Sequence, residues 1–97
     1  MKEGDVYFDP ASGTTILILE RNSDSENGLA RFTMPCDMAG NLTEIDENSR
    51  KGSGFFIGEG PDNKLEELLK NFEKDTREDI LEHSKCIFEL LRRSDNA

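Results

Sequence analysis

The sequence predicts an α+β domain: a small antiparallel β-sheet of four to five strands followed by two C-terminal α-helices packed on one of its faces. Three observations carry this reading. Thr14 to Arg21 contains four consecutive branched aliphatics, Ile16, Leu17, Ile18 and Leu19. A run that short, bounded by Ser12-Gly13 and Asn22-Ser23, fits a buried central strand whose side chains reach both faces of a sheet. Elsewhere in residues 1–60 the apolar positions alternate or occur in short runs separated by Gly, Pro and Asn. From Asn63 onward the period changes to one near 3.6. A chain of 97 residues supports one domain with one modest core, residues 1–60 forming the sheet portion and 63–93 the helical portion.

The elements follow in order. Gly4 to Phe8 reads as a first strand, with Val6 and Phe8 on one face and Tyr7 on the other. Asp9-Pro10-Ala11-Ser12-Gly13 is a turn, because Pro presets φ and Gly accepts a positive φ; the strands on either side should form a hairpin. Asn22 to Gly28 is a polar loop ending in Asn-Gly, a dipeptide suited to a turn that needs positive φ. Leu29 to Cys36 alternates, with Ala30, Phe32, Met34 and Cys36 on one face and Arg31 and Thr33 on the other, and Pro35 ends its pairing or places that end on a sheet edge. Leu42 to Ile45 is a candidate short strand, and Asp46 to Lys51 an exposed loop. Phe55-Phe56-Ile57 is a last short strand closed by Gly58-Glu59-Gly60-Pro61.

Asn63-Lys64-Leu65-Glu66 carries a capping-box signature, Asn63 accepting from the first turn and Glu66 reaching back. Leu65, Leu68, Leu69 and Phe72 form one apolar stripe, and Ile80, Leu81, Ile87, Phe88 and Leu91 a second. Arg92-Arg93 suits a helix C-terminus. The polar segment Glu73 to Asp79 between the stripes contains no Gly or Pro, yet the stripes do not keep one phase across it. Two helices are therefore expected, with one long helix as the alternative.

Charge excludes several functions. The formal net charge is -9, from 21 acidic against 12 basic residues. It disfavours direct binding to nucleic acid or to an anionic membrane and favours a partner protein with a basic surface. Acidity of this size also serves solubility alone. It is uneven: residues 1–62 hold 12 Asp/Glu against 5 Lys/Arg, whereas residues 63–97 hold 9 against 7. No run of eighteen apolar residues offers a membrane span, and Met1 leads directly into a polar segment with no apolar leader. Cys36 and Cys86 stand fifty positions apart as single thiols, the pattern of core cysteines in a reducing cytoplasm.

Chemistry finds little footing. The one histidine, His83, lies three positions before Cys86 in a helix. The pair has the composition of a nucleophile and base, but the neighbouring Ile87 and Phe88 point to core packing. The loop Asn22 to Gly28 alternates oxygen donors as a calcium loop does, but its Gly comes one place late and Thr33 stands where a bidentate Glu is needed. Two distant cysteines and one histidine do not make a zinc site. Gly52-Ser53-Gly54 completes neither a dinucleotide fingerprint nor a P-loop, so its glycines are read as turn formers. No catalytic residue, metal or cofactor is expected.

The leading expectation is a non-enzymatic acidic protein-binding module. Asp24, Glu26, Glu44, Asp46 and Glu47 are carboxylates separated by small polar residues. Such an array presents to Arg and Lys a geometry similar to that of phosphate oxygens, and so suits the basic surface of a nucleic-acid-binding protein. Phe55 and Phe56 are adjacent on a strand and must face opposite ways. Either both are buried, or Phe56 lies exposed as an aromatic anchor for a partner. In size and charge the chain resembles small acidic proteins of phages and mobile elements, among them inhibitors of bacterial defence nucleases; the likeness involves no motif. Two further functions fit the same residues. One is an assembly protein that homodimerises through its amphipathic C-terminal helices. The other is a small-ligand sensor with a pocket built around Tyr7, Phe32 and Phe55.

Overall fold

A computed structural model describes residues 2–21, 28–37, 39–45, 47 and 54–95. The elements are β1 (Val6–Phe8), β2 (Thr15–Arg21), β3 (Leu29–Pro35), β4 (Phe55–Pro61), α1 (Asp62–Leu69), β5 (Glu73–Lys74) and α2 (Glu78–Asp95). They form a five-stranded sheet in the order β4-β3-β2-β1-β5 with every neighbouring pair antiparallel. This is the α+β architecture expected, a small sheet with two helices toward the C-terminus.

The aliphatic run is the centre of the sheet. Ile16, Leu17 and Ile18 are fully buried and Leu19 nearly so. Strand alternation sends Ile16 and Ile18 to one face, where they meet Ala30, Leu65 and Leu69, with Tyr7, Phe32, Met34 and Phe72 partly buried around them. Leu17 and Leu19 go to the other face, with Val6, Ile45, Ile80 and Ile87, flanked by Phe55, Phe88 and Leu91. The core is thus two apolar layers, each closed by one helix. Each buried aliphatic contributes about 1.5–3 kcal/mol through removal from water.

The helices therefore lie on opposite faces, and the expectation that both pack on one face is corrected. A central strand that is apolar on both sides must be covered on both sides. The chain makes the transfer between α1 and α2. After Leu69 it turns, with Phe72 N–H bonding to Leu69 O at 3.0 Å. Glu73 and Lys74 then pair along Phe8 and Tyr7 as the outermost strand, and Asp75 N–H bonds to Val6 O at 2.9 Å. The chain thus rounds the β1 edge before α2 begins at Glu78.

Local expectations fare unevenly. The β1–β2 turn forms as read: Gly13 takes φ +75, and the Asp9 carboxylate accepts from Ala11 N–H at 3.1 Å and from Ser12 Oγ at 2.8 Å. The capping box does not form. Pro61 is the N-cap of α1 with no side-chain cap bond, and Asn63 is already inside the helix. Arg21 instead ties the first turn to β2, its Nε donating to the Asp62 carboxylate at 2.8 and 3.1 Å and its Nη2 to Glu66. Leu42 to Ile45 is not a strand either. A single bridge joins Cys36 to Leu42, and the segment's role is to seat Ile45 in the α2-side layer.

Candidate functional site

The features that a partner could meet converge on β4. The strand runs on through Gly58-Glu59-Gly60-Pro61, residues expected only to close it, and it is an edge strand. Its register against β3 runs from Leu29 opposite Pro61 to Pro35 opposite Phe55. Just beyond the two ends, Cys36 N–H bonds to Gly54 O at 3.0 Å and Asp62 N–H to Gly28 O at 2.9 Å. In an antiparallel ladder, residues alternate between those that exchange hydrogen bonds with the neighbour and those that do not. Residues 54, 56, 58, 60 and 62 therefore turn their backbone groups toward β3. Phe55, Ile57 and Glu59 turn theirs to the outer edge, where no strand among the described residues pairs with them. Pro61 also faces outward and has no N–H to offer.

The side chains of β4 divide between the two faces. Phe55 packs on the α2-side layer, so alternation puts Ile57 and Glu59 on that side and Phe56 on the α1 side. Phe56 is 54% and Ile57 45% exposed. Gly58 has no side chain because the Phe32 ring occupies that space: a Cβ there would lie 2.4 Å from Phe32 Cζ. Gly54 holds φ +77, and a Cβ on it would lie 2.2 Å from the carbonyl oxygen of Cys36. Glycine is required there on both counts. Across the sheet, Glu20 is the register partner of Arg31, and Arg31 of Glu59. The row thus reads acid, base, acid toward the open edge, with Arg31 Nη1 3.7 Å from Glu20.

Of the carboxylates singled out from the sequence, Asp24, Glu26 and Asp46 lie outside the described residues. Glu47 is exposed. Glu44 is half-buried and its carboxylate meets Arg77 Nη1 at 2.5 Å, so its charge is already partnered within the fold. Arg77 was not a candidate. Its Nε and Nη2 also donate to the Asp75 carboxylate at 3.1 and 2.7 Å, and its guanidinium lies 4.6 Å from the Phe8 ring centroid. Burial pushes the Asp75 carboxyl up, but the hydrogen bonds and charge of Arg77 outweigh it and hold that group below its ordinary range. The same contacts with Asp75 and Glu44 raise the Arg77 guanidinium. Phe56, the aromatic candidate, is exposed as one of the two sequence alternatives required. Ile57 and the open edge beside it were missed, because sheet order cannot be read from a single strand.

Other sites draw no support from the geometry. Tyr7 and Phe32 lie in the α1-side layer and Phe55 in the α2-side layer, so the sheet separates the three aromatics proposed for one ligand pocket. The Tyr7 hydroxyl is raised by burial and by Asp5, to which it donates at 3.4 Å, a local tie between β1 and the residue that precedes it. His83 Nδ1 is buried without a hydrogen-bond partner, which leaves it uncoupled to Cys86 through that nitrogen. Among the described residues, no three His, Cys, Asp or Glu side chains are grouped to hold a metal ion. Among the same residues, no helix is long and apolar enough to cross a membrane.

Compared with protein-family models, curated proteins and solved structures, the chain matches none.

Proposed function

We propose that this protein is a non-enzymatic acidic binding module that engages the basic surface of a partner protein. The observation that carries this is the exposure of Phe56 and Ile57, one on each face of an edge strand whose outer side pairs with no strand among the described residues, in a chain with net charge -9. Large apolar side chains next to open backbone groups are what a protein interface desolvates, and the surrounding field selects basic partners and speeds their approach. A nucleic-acid-binding protein is the partner class this chemistry suits, since its phosphate-contacting Lys and Arg side chains can donate to carboxylates as they do to phosphate oxygens. A phage or mobile-element inhibitor of a nuclease would work in this way.

The test is capture of a partner from native-host lysate with elution on a salt gradient, followed by affinity measurement with the purified pair. The variant Phe56→Ser/Glu47→Lys removes the exposed aromatic and one exposed carboxylate without touching the Glu44–Arg77 pair. It should retain its melting temperature and bind at least tenfold more weakly. Unchanged affinity in the folded variant, or a protein that captures no basic partner and behaves as a tight homodimer, would overturn the proposal.

A further inference from the structure

We infer that the outer edge of β4 is a strand-addition site. It takes an extended segment of the partner that reads basic–apolar–aliphatic, running antiparallel to β4. This rests on the protein-binding reading above and adds the place, the conformation and the residue pattern of what binds.

The backbone supplies the first part of the argument. Phe55, Ile57 and Glu59 each direct an N–H and a C=O outward, as derived from the flanking bonds of Cys36 and Asp62 and the β3–β4 register. An added strand can exchange bonds at all three positions, as extended peptides do at open sheet edges. Pro61 ends the ladder at one side, because it has no N–H. Gly54, with its positive φ, ends the extended backbone at the other. The site is therefore about three outward residues long.

Charge and shape identify the occupant. The row Glu20, Arg31, Glu59 alternates in sign toward the edge. A residue placed next in the row lies beside Glu59, where a Lys or Arg continues the alternation and an acid opposes it. Two positions further along the added strand, the neighbour is Ile57, 45% exposed, which an aliphatic side chain covers. The residue between them faces the α1 side beside Gly58, where the Phe32 ring replaces the missing side chain and Phe56 stands diagonally adjacent; an apolar or aromatic side chain fits there. A second copy of this chain fits less well. Pairing two β4 strands with Ile57 opposite Ile57 sets Glu59 opposite Phe55 and brings no cation to either carboxylate, while joining two molecules of net charge -9.

The probe is the peptide acetyl-Thr-Arg-Phe-Val-Thr-Ser-amide, titrated into the full 15N-labelled chain. Two controls accompany it: the same peptide with Glu in place of Arg, and one N-methylated at Val, which removes the N–H aimed at Ile57 O. The largest amide shifts should fall on Phe55, Ile57 and Glu59, and both control peptides should bind at least tenfold more weakly. Glu59→Lys should invert the preference, favouring the Glu peptide. Ile57→Pro removes an outward N–H together with the exposed Ile57 side chain, takes no bond from the β3 ladder, and should abolish binding with the circular dichroism spectrum retained. Equal binding of the Arg and Glu peptides, or an unperturbed β4 edge in the presence of the Arg peptide, overturns the inference. So does a dimer in light scattering that Ile57→Pro dissociates, which would place a second copy on the edge. If folded Ile57→Pro and Glu59→Lys variants still capture the basic lysate partner with unchanged affinity, strand addition falls while the protein-binding reading stands.

Discussion

Asp75 shows how one residue can hold a junction. Its side chain is 2% exposed and joins β5 to α2. The carboxylate accepts from Arg77 N–H at 3.0 Å as well as from the guanidinium. Because Arg77 keeps the folded-state pKa below the unfolded one, this group stabilises the fold above the ordinary Asp range. That stability is lost as pH falls through the lowered folded value. Arg77→Gln strands the carboxylate, the Glu44 contact and the Phe8 ring contact together. It should cost about 2 kcal/mol at pH 7, after allowance for the partial exposure of the guanidinium. The expected signature in urea unfolding is a stability gap between wild type and variant that is widest at neutral pH and shrinks toward pH 2. A gap independent of pH would show that Arg77 acts through packing alone.

At the scale of the element, β4 is shaped by its glycines. Gly54 begins it at φ +77 with the Cys36 carbonyl where a Cβ would go, so Gly54→Ala meets both a backbone penalty and a clash with a main-chain atom that has little room to retreat. We expect about 3 kcal/mol of destabilisation, read from thermal or denaturant unfolding. Gly58→Ala confronts only the Phe32 ring, a half-buried side chain that can swing outward, and should cost about 1 kcal/mol. If the order of these two costs were reversed, the close approach of Cys36 to Gly54 would not be the constraint described. Gly58 bears on the proposed binding edge as well as on stability, since displacing the Phe32 ring changes the surface beside Phe56.

For the whole molecule, the decisive feature is the division of the core by the sheet. Leu65 of α1 and Ile87 of α2 are both buried but belong to different layers. Leu65→Ala should cost about 2–4 kcal/mol and Ile87→Val about 1 kcal/mol. Because no side chain is shared between the two sites, the double variant should equal their sum within about 0.5 kcal/mol. Coupling beyond that would mean that the helices share one layer. The division also bears on association through the helices. Each apolar stripe commits residues to its own sheet face, Leu65 and Leu69 from α1 and Ile80 and Ile87 from α2. Leu68, Leu81 and Leu90 remain partly exposed, on helices that cover opposite sides of the sheet.

Local pattern by itself, which left one long C-terminal helix open as an alternative to two, determined the identity of the central strand, the β1–β2 turn at Gly13 and the alternating faces of β3. Each of these follows from side-chain period or from a backbone conformation that only certain residues adopt, and neighbouring residues suffice to express it. It also limited Phe55 and Phe56 to opposite faces. Only the tertiary structure decided the rest. A helix stripe announces that it will be buried but not which side of a sheet will bury it; that choice came from the passage of Glu73 and Lys74 along β1. Asn63 had the composition of a cap, yet the cap fell two residues earlier, at Pro61, with Asp62 tied to Arg21 41 positions away in sequence. Glu44 looked like a solvated carboxylate until Arg77 was brought against it. The open edge of β4 depends on which strand the sheet places last. These outcomes depend on contacts between distant segments, and short-range pattern carries no information about which distant segment will arrive.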